Sequence, residues 1–357
     1  MSLPRVLGRA PRVAAALWGL RRSRPTFASV NLLNRCNQAC PMCAVRQGPD
    51  DQLPLVTLAR AFAALRRGGV RVVELSGGEP FLRRDLGRVI AALEAERLLF
   101  SLNTNATALH EDGLAALRGA AGLVQVAVSL DSLDRERYRL LRGRDLLPSA
   151  LEGLDRLQTA GLPAPLKLNL ALSRHNHAEA PALLAFAEAK GLFLSVFPVN
   201  QGPGAHRSAG SLFAASPAER AAMAEAFDRL ALLRRRGAPL WEPARFYRTA
   251  AAFLRGEPLP PCGAGRLYLD VRADGAVAPC VELPPVATLA GLEDGSAWAA
   301  LAGAEGAAAR CRAETPCCYT CTVGLAETAR RPVAFALESG RVLLQAAVRR
   351  RLARVRA

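Results

Sequence analysis

Between Thr26 and about Arg236 the chain alternates short apolar runs with longer stretches whose apolar residues fall three and four apart. The runs are "FASVNLL", "VRVVELS", "LLFSLNT", "LVQVAVSL", "APLKLNLAL" and "LFLSVFPV", each ending in small or polar residues. They read as strands. Between them stand "LARAFAALRRGG", "DLGRVIAALEAERL", "ALEGLDRLQTAG" and "APALLAFAEAKG", three of which close on glycine, a common helix stop. Strand and helix repeated in this order predict an α/β fold with a parallel sheet. Six units fall short of a closed eight-fold barrel and predict a partial (β/α)6 TIM-like barrel over residues 26–236. In such sheets the chemistry sits at the C-terminal strand ends.

After Arg236 the rhythm breaks. "RLYLDV", a turn at "RADG" and "AVAPC" predict a hairpin, and "CRAETPCCYTC" follows. Cysteines this dense, with little core around them, predict a small C-terminal cysteine-rich domain organised by metal, over residues 237–330. Basic amphipathic helices are expected at 1–25 and 331–357, the second built on "GRVLLQAAVRRRLARVRA".

Composition sets the bounds. With 357 residues, 51% of them apolar, the chain has enough for one large core and a small satellite. The net charge of +16 gathers at the two ends, in Arg5, Arg9, Arg12, Arg21, Arg22 and Arg24, and in Arg341, Arg349, Arg350, Arg351, Arg354 and Arg356. Such a balance suits nucleic acid, an anionic membrane face or an acidic peptide. No zinc-finger spacing, RRM-like aromatic signature or helix-turn-helix cue supports nucleic acid. No apolar run approaches the ~20 residues of a spanning helix. Val13 to Leu20 follows arginines as a signal peptide would, but "RRSRP" comes directly after it without a convincing cleavage site, so an amphipathic helix is expected. Nine clustered cysteines favour metal over a disulfide framework, and hence a cytoplasmic location.

Cys36, Cys40 and Cys43 form C-x3-C-x2-C just past the first strand. Soft thiolates at this density select iron–sulfur clusters or zinc. Structural zinc takes four closed ligands, whereas three local thiols suit a four-iron cluster with one iron left for another ligand. "CNQACPMC", then "ELSGGEP" ending the next strand, then "NTN" and "VSLDS", in this order, resemble the radical SAM superfamily over roughly residues 27–235. The resemblance implies a [4Fe-4S] cluster on the three cysteines. S-adenosylmethionine (SAM) would chelate the unique iron, and one-electron cleavage would give a 5′-deoxyadenosyl radical. It implies SAM contacts at Gly77, Gly78, Glu79 and Pro80. Asn103, Asn105, Ser129, Asp131 and Arg142 follow at later strand ends. Gly77 and Gly78 are expected to let the backbone approach the ligand, Glu79 to face the methionyl ammonium, and Arg142 to meet the SAM carboxylate. Helix-capping roles for Glu79 and Asp131, a turn role for the asparagines and a solvated charge at Arg142 are the alternatives. Many members carry an aromatic residue before the third cysteine; here Met42 stands there.

The later cysteines resemble the auxiliary-cluster extension of such enzymes, the SPASM or shorter Twitch type. Cys262 and Cys280 bracket the hairpin, with Gly275 five residues before Cys280; Cys311, Cys317, Cys318 and Cys321 follow. Six cysteines are fewer than a complete SPASM domain uses. One auxiliary cluster is expected, on Cys262, Cys280, Cys318 and Cys321. Cys317 is the alternative to Cys318, and a structural zinc is the alternative to iron. Asn169 and Ser173 are weaker SAM candidates. His206 is a candidate substrate contact, His175 and His177 fit helix starts, Trp241 and Tyr247 fit the core, and Glu242 and Asp270 are unplaced carboxylates.

The reading is a radical SAM oxidoreductase whose partners are a peptide or small-molecule substrate and an electron donor such as flavodoxin or ferredoxin. A peptide maturase leads. An enzyme of cofactor or lipid biosynthesis, with peripheral membrane contact through the basic ends, is the second reading. A non-catalytic iron–sulfur or zinc scaffold is the third.

Overall fold

The computed structural model describes residues 10–19, 24–47, 51–201, 207–208, 211–334, 337–338 and 340. Helix α1 (Ala10–Gly19) comes first. Six strand–helix units follow: β1 (Phe27–Asn31), α2 (Leu55–Gly68), β2 (Val72–Ser76), α3 (Leu86–Ala95), β3 (Leu99–Thr104), α4 (Glu111–Gly119) and β4 (Leu123–Ser129). They continue through α5 (Arg135–Arg142), α6 (Leu147–Thr159), β5 (Leu166–Leu172), α7 (Ala180–Ala189), β6 (Phe193–Pro198) and the short pair β7 (Asn200–Gln201) and β8 (Arg207–Ser208), ending on α8 (Pro217–Arg235). Strands β1 to β6 pair in sequence and in parallel, the predicted partial barrel. Val30, Val73, Leu75, Phe100, Leu102, Val128, Leu168 and Leu170 are fully buried between the sheet and its helices.

Local chemistry sets the helix ends. Gly69 closes α2 in the left-handed region (φ 112°), where glycine carries no Cβ penalty. Asp134 caps α5 by accepting the Arg137 N–H at 2.8 Å, and Gly143 closes it at φ 70°. Ser216 and Glu219 cap α8 reciprocally.

After α8, helix α9 (Ala244–Leu254) packs on α8 with Phe246, Tyr247, Ala250 and Ala251 in the main core. The hairpin is β9 (Tyr268–Val271) and β10 (Ala276–Ala278), turned by Gly275 at φ 87°. It does not stand apart. β9 pairs in parallel with β1, so β10 and β11 (Ala287–Thr288) extend the barrel sheet to nine strands in the order β11-β10-β9-β1-β2-β3-β4-β5-β6. Helices α10 (Leu289–Asp294), α11 (Ala297–Gly303), α12 (Glu305–Glu314) and α13 (Leu325–Arg330) complete the described chain. A Cβ at Gly68 would fall 1.8 Å from Trp298 Cζ2, so α2 and α11 are in tight contact. The expected boundary near 236 therefore runs through one packed unit. The separate feature is a minor core around Ala264, Leu267, Tyr268, Cys280, Leu283, Ala308 and Ala326. Residues 332–334, 337–338 and 340 are helical, and the basic stretch from 341 lies outside the described residues. Among the described residues no helix is long and apolar enough to cross a membrane.

Gly153 of α6 sits over the loop after β3, where Ala106 adopts φ 60°; a Cβ at 153 would lie 1.8 Å from the Ala106 carbonyl oxygen. Backbone cannot swing aside as a side chain does. Gly153→Ala is expected to cost about 1–3 kcal/mol, read as a lowered denaturant midpoint of the purified protein.

Candidate active site

Cys36, Cys40 and Cys43 lie on the loop leaving β1 and are partly buried. The loop is held from three sides. From β2, the Gly78 N–H donates to the Leu33 carbonyl (2.7 Å) and the Glu79 N–H to that of Arg35 (3.0 Å). From the end of α5, the Arg142 carbonyl accepts the Ala39 N–H at 3.0 Å. From below, the Gln38 side-chain amide donates to the buried Tyr138 hydroxyl (2.7 Å), and Asn37 donates to Thr107 Oγ1 (2.7 Å). Donors then point at sulfur: Gln38 N–H at Cys36 Sγ (3.4 Å), Asn105 Nδ2 at Cys36 Sγ (3.9 Å) and Arg142 Nη1 at Cys40 Sγ (3.9 Å). Burial pushes the Cys36 thiol up to about 11. It also raises Cys40, with Arg142 opposing.

Gly77 and Gly78 meet a backbone constraint besides the expected one. A Cβ at 77 would stand 2.4 Å from the Leu33 carbonyl oxygen, and one at 78 would stand 2.0 Å from that of Arg35. The glycines admit the backbone that enters the cysteine loop, and both also border the cavity described below. Glu79 is fully buried. One carboxylate oxygen accepts from the Phe81 N–H (3.1 Å) and the Thr104 hydroxyl (2.6 Å), and the other from the Asn105 N–H (2.7 Å). Burial raises its carboxyl above the ordinary range, against these three donors. Pro80 is buried at the start of a short 3-10 turn, capped by Glu79, and does not line the site.

These residues open on a cavity of about 310 Å³, whose wall includes the three cysteines, Gly77, Gly78, Glu79, Asn103, Asn105, Ser129, Asp131 and Arg142. Two of the residues expected at SAM also face each other. Arg142 Nε pairs with Asp131 Oδ2 at 2.7 Å, and Asp131 Oδ1 accepts the Ala171 N–H at 2.8 Å. Burial works against the Arg142 charge, but Asp131 and Cys40 outweigh it and raise its pKa. Asp131 does not cap the following helix, which Asp134 does. Asn103 donates to Glu74. Asn169 lines the cavity with its buried Oδ1 lacking a hydrogen-bond partner among the described residues. Ser173 is tied into a turn with Asn176 (3.1 Å), away from the wall.

The second cysteine group faces the same cavity. Cys262, Cys280, Cys311 and Cys317 line it. Cys318 does not: it is fully buried in the main core, and its N–H donates to Asn200 Oδ1 at 2.7 Å. Adjacent residues point apart, and here Cys317 points inward. Burial pushes both Cys280 and Cys318 thiols far up. The Cys321 side chain and His206 lie outside the described residues. Among the described residues no three His, Cys, Asp or Glu side chains stand close enough to hold a single metal ion; the thiols ring a space instead.

Sequence reading left several wall residues unassigned. Glu74, Lys167, Asp270, Arg312 and Tyr319 all line the cavity. Asp270, on β9, accepts from Asn31 Nδ2 across the β1–β9 pair (3.1 Å). Burial pulls the Lys167 ammonium down, and its Nζ stands 5.4 Å from the Trp241 ring centroid. For Glu74, Lys167 and Asp270 the signal was the inward phase of their strands, which periodicity gives only once the strands are paired. Glu242 is a structural node, accepting from Ser195 (2.6 Å) and Tyr247 (2.9 Å). His175 and His177 meet backbone carbonyls of Leu212 (2.7 Å) and Arg174 (3.2 Å).

The Radical SAM superfamily model matches residues 30–187. GTP 3′,8-cyclase of Paenarthrobacter nicotinovorans is 39% identical over 178 residues, 47% of this chain and 49% of that protein. A probable GTP 3′,8-cyclase of Pyrococcus abyssi is 34% identical over 158 residues, 43% of this chain and 50% of that protein. The chain thus spans about half the length of the curated relatives it matches. Among solved structures, Streptococcus suis SuiB bound to S-adenosylmethionine superposes with TM-score 0.59 at 17% identity, over 77% of this chain and 64% of that one. Native anSMEcpe with bound AdoMet and the Kp18Cys peptide gives 0.55 at 14% identity, over 90% and 99%. These two likenesses show the fold. With the C-x3-C-x2-C loop, the Gly-Gly-Glu turn and the matched span on one barrel, residues 30–187, just under half of the chain, form a radical SAM domain.

Proposed function

We propose that this protein is a radical SAM enzyme acting on a small polar molecule, of the kind handled in cofactor biosynthesis, inside the cavity shared by its two cysteine groups. The observation that supports it most is that sharing: both groups, the Gly-Gly-Glu turn and the β4 strand end border one cavity. Radical SAM domains use a [4Fe-4S] cluster and SAM, and the donor set fits: three soft thiols on one loop, with amide and guanidinium donors aimed at their sulfurs. Cys36, Cys40 and Cys43 would hold the cluster. Bound there and reduced by one electron, cluster and SAM supply a 5′-deoxyadenosyl radical.

The chain's own residues then have distinct tasks. Glu79, fixed by Phe81, Thr104 and Asn105, offers a carboxylate to the methionyl ammonium. Ser129 and Asn169 offer polar atoms to the nucleoside. Arg142, held by Asp131, is a positioning residue that places positive charge beside Cys40. Met42, on the cavity wall, offers a soft apolar face. Cys262, Cys280 and Cys317, with Cys311 beside them, are the set we assign to an auxiliary cluster. Flavodoxin or ferredoxin would deliver the electron.

A small substrate is favoured over a peptide for two reasons. The relatives above 30% identity are named GTP 3′,8-cyclases, whereas the peptide-bound structures share only 14–15% identity. Moreover, the inner wall carries Glu74 and the buried Lys167 and Asp270, charged groups that suit a small polar molecule. A purine nucleotide is the first class to test.

Reconstituted without oxygen and given dithionite and SAM, the protein is expected to release 5′-deoxyadenosine, and Cys36→Ala to fall to background by mass spectrometry. Release equal in the two sinks the enzymatic reading. The auxiliary set is tested by iron content: Cys317→Ala is expected to fall from about eight to about four irons per chain. Cys318→Ala is expected to keep its iron and lose about 1 kcal/mol of stability. The reverse result would restore Cys318 as the ligand.

A further inference from the structure

The charged side chains on the cavity wall are mostly engaged within the protein. Glu79 has three donors, Arg142 has Asp131, Glu74 has Asn103, Asp270 has Asn31, and Glu282 accepts from the Tyr319 hydroxyl at 2.7 Å. Arg312 differs. It sits in the last turn of α12, one residue after Cys311, and lines the cavity. Its Nη1 donates to the Cys317 carbonyl at 2.5 Å. Its Nε and Nη2 are buried and have no hydrogen-bond partner among the described residues.

The free pair is chemically specific. Nε–H and Nη2–H lie along one edge of the planar guanidinium and point in parallel, the fork that matches two oxygens of a carboxylate or phosphate. The bond from Nη1 to Cys317 fixes the plane, so the fork cannot rotate away to water. A guanidinium cannot shed its proton to escape burial. Held this way it calls for an anion, and none of the wall carboxylates meets it.

We infer that Arg312 is the receptor for an anionic two-oxygen group of the substrate, a carboxylate or a phosphate, which it holds against the wall formed by Cys311 and Cys317. This rests on the proposal that the cavity is the substrate site. It makes Arg312 a specificity-determining residue: a neutral analogue leaves the fork unpaired and is rejected. The substrate's anionic end is thereby placed on the side of the second cysteine group, and the atom to be attacked on the side of the first.

The test is calorimetric titration of the reconstituted full chain, without oxygen, with pyrophosphate as the phosphate probe and succinate as the carboxylate probe. Wild type is expected to bind at least one of them. Arg312→Met is expected to weaken that binding roughly ten- to a hundredfold. Arg312→Lys, which keeps charge but not the fork, is expected to fall between. The stronger probe identifies the anion. Binding by neither probe overturns the inference, as does equal binding in all three proteins. So does an Arg312→Met protein that binds as wild type while the spectrum of the second cluster shifts, because Arg312 then serves the cluster. Wild type assayed in parallel for 5′-deoxyadenosine keeps the two ideas apart. Nucleoside without Arg312-dependent binding sinks the receptor alone, and Arg312-dependent binding without nucleoside supports the receptor and sinks the enzymatic reading.

Discussion

The architecture of the site depends on one close approach. The strand end at Gly77–Gly78 runs so near the chain leaving β1 that two backbone hydrogen bonds form, and any side chain there would overlap carbonyl oxygens at 2.4 and 2.0 Å. That contact decides where the cysteine loop begins. A second one decides where it turns: Gly143, at φ 70°, lies against Ala39, where a Cβ would sit 2.1 Å from the carbonyl oxygen. Three glycines clamp one loop between a strand end and a helix end. The thiols therefore owe their placement to backbone of β2 and α5 rather than to side-chain packing, which suits a loop that must keep its sulfur positions through redox change.

Charge follows the same plan. Burying Arg142 and Asp131 is costly, and the pair is tolerated because each supplies the other's missing solvation. Removing either partner of such a pair costs about 3–5 kcal/mol, far more than an exposed ion pair contributes. The return is a guanidinium held beside Cys40 and a helix, α5, tied to the cysteine loop through Arg142 and Tyr138. Arg83 does similar work on the other side. Fully buried, it donates to the Leu32 (3.0 Å) and Leu53 (2.7 Å) carbonyls and pairs with Asp85 (2.8 Å), joining the segment after Glu79 to both ends of the cysteine loop region.

The barrel strands, their parallel order, the cysteine trio and the Gly-Gly-Glu turn were legible because each is local: a period, a spacing, a stop residue. What stayed hidden was direction. Gly77 and Gly78 read as room for a ligand, and only the register of β1 on β2 reveals the neighbouring backbone they also admit. Asp131 and Arg142, eleven positions apart, each look like a free polar group until α5 folds one onto the other. Cys317 and Cys318 are indistinguishable by spacing; the N–H of Cys318 bonding Asn200, more than a hundred residues away, turns its thiol into the core. Arg83, Asp270 and Arg312 gain their roles from partners far along the chain, or from the lack of one.

The parallel pairing of β9 with β1 explains why one cavity serves both cysteine groups. Phe27 to Val30 lie in register with Tyr268 to Val271, so the strand that leads into Cys36 also carries the hairpin flanked by Cys262 and Cys280. Asn31 at the exit of β1 bonds Asp270 across this pair, and the Tyr268 hydroxyl meets Cys262 Sγ at 3.4 Å. A detached cysteine-rich module would leave the distance between the two groups to a linker. Here a shared sheet fixes it at the precision of backbone hydrogen bonds. No domain closure is then needed to bring the two groups to one cavity, because β1 and β9 together hold them there.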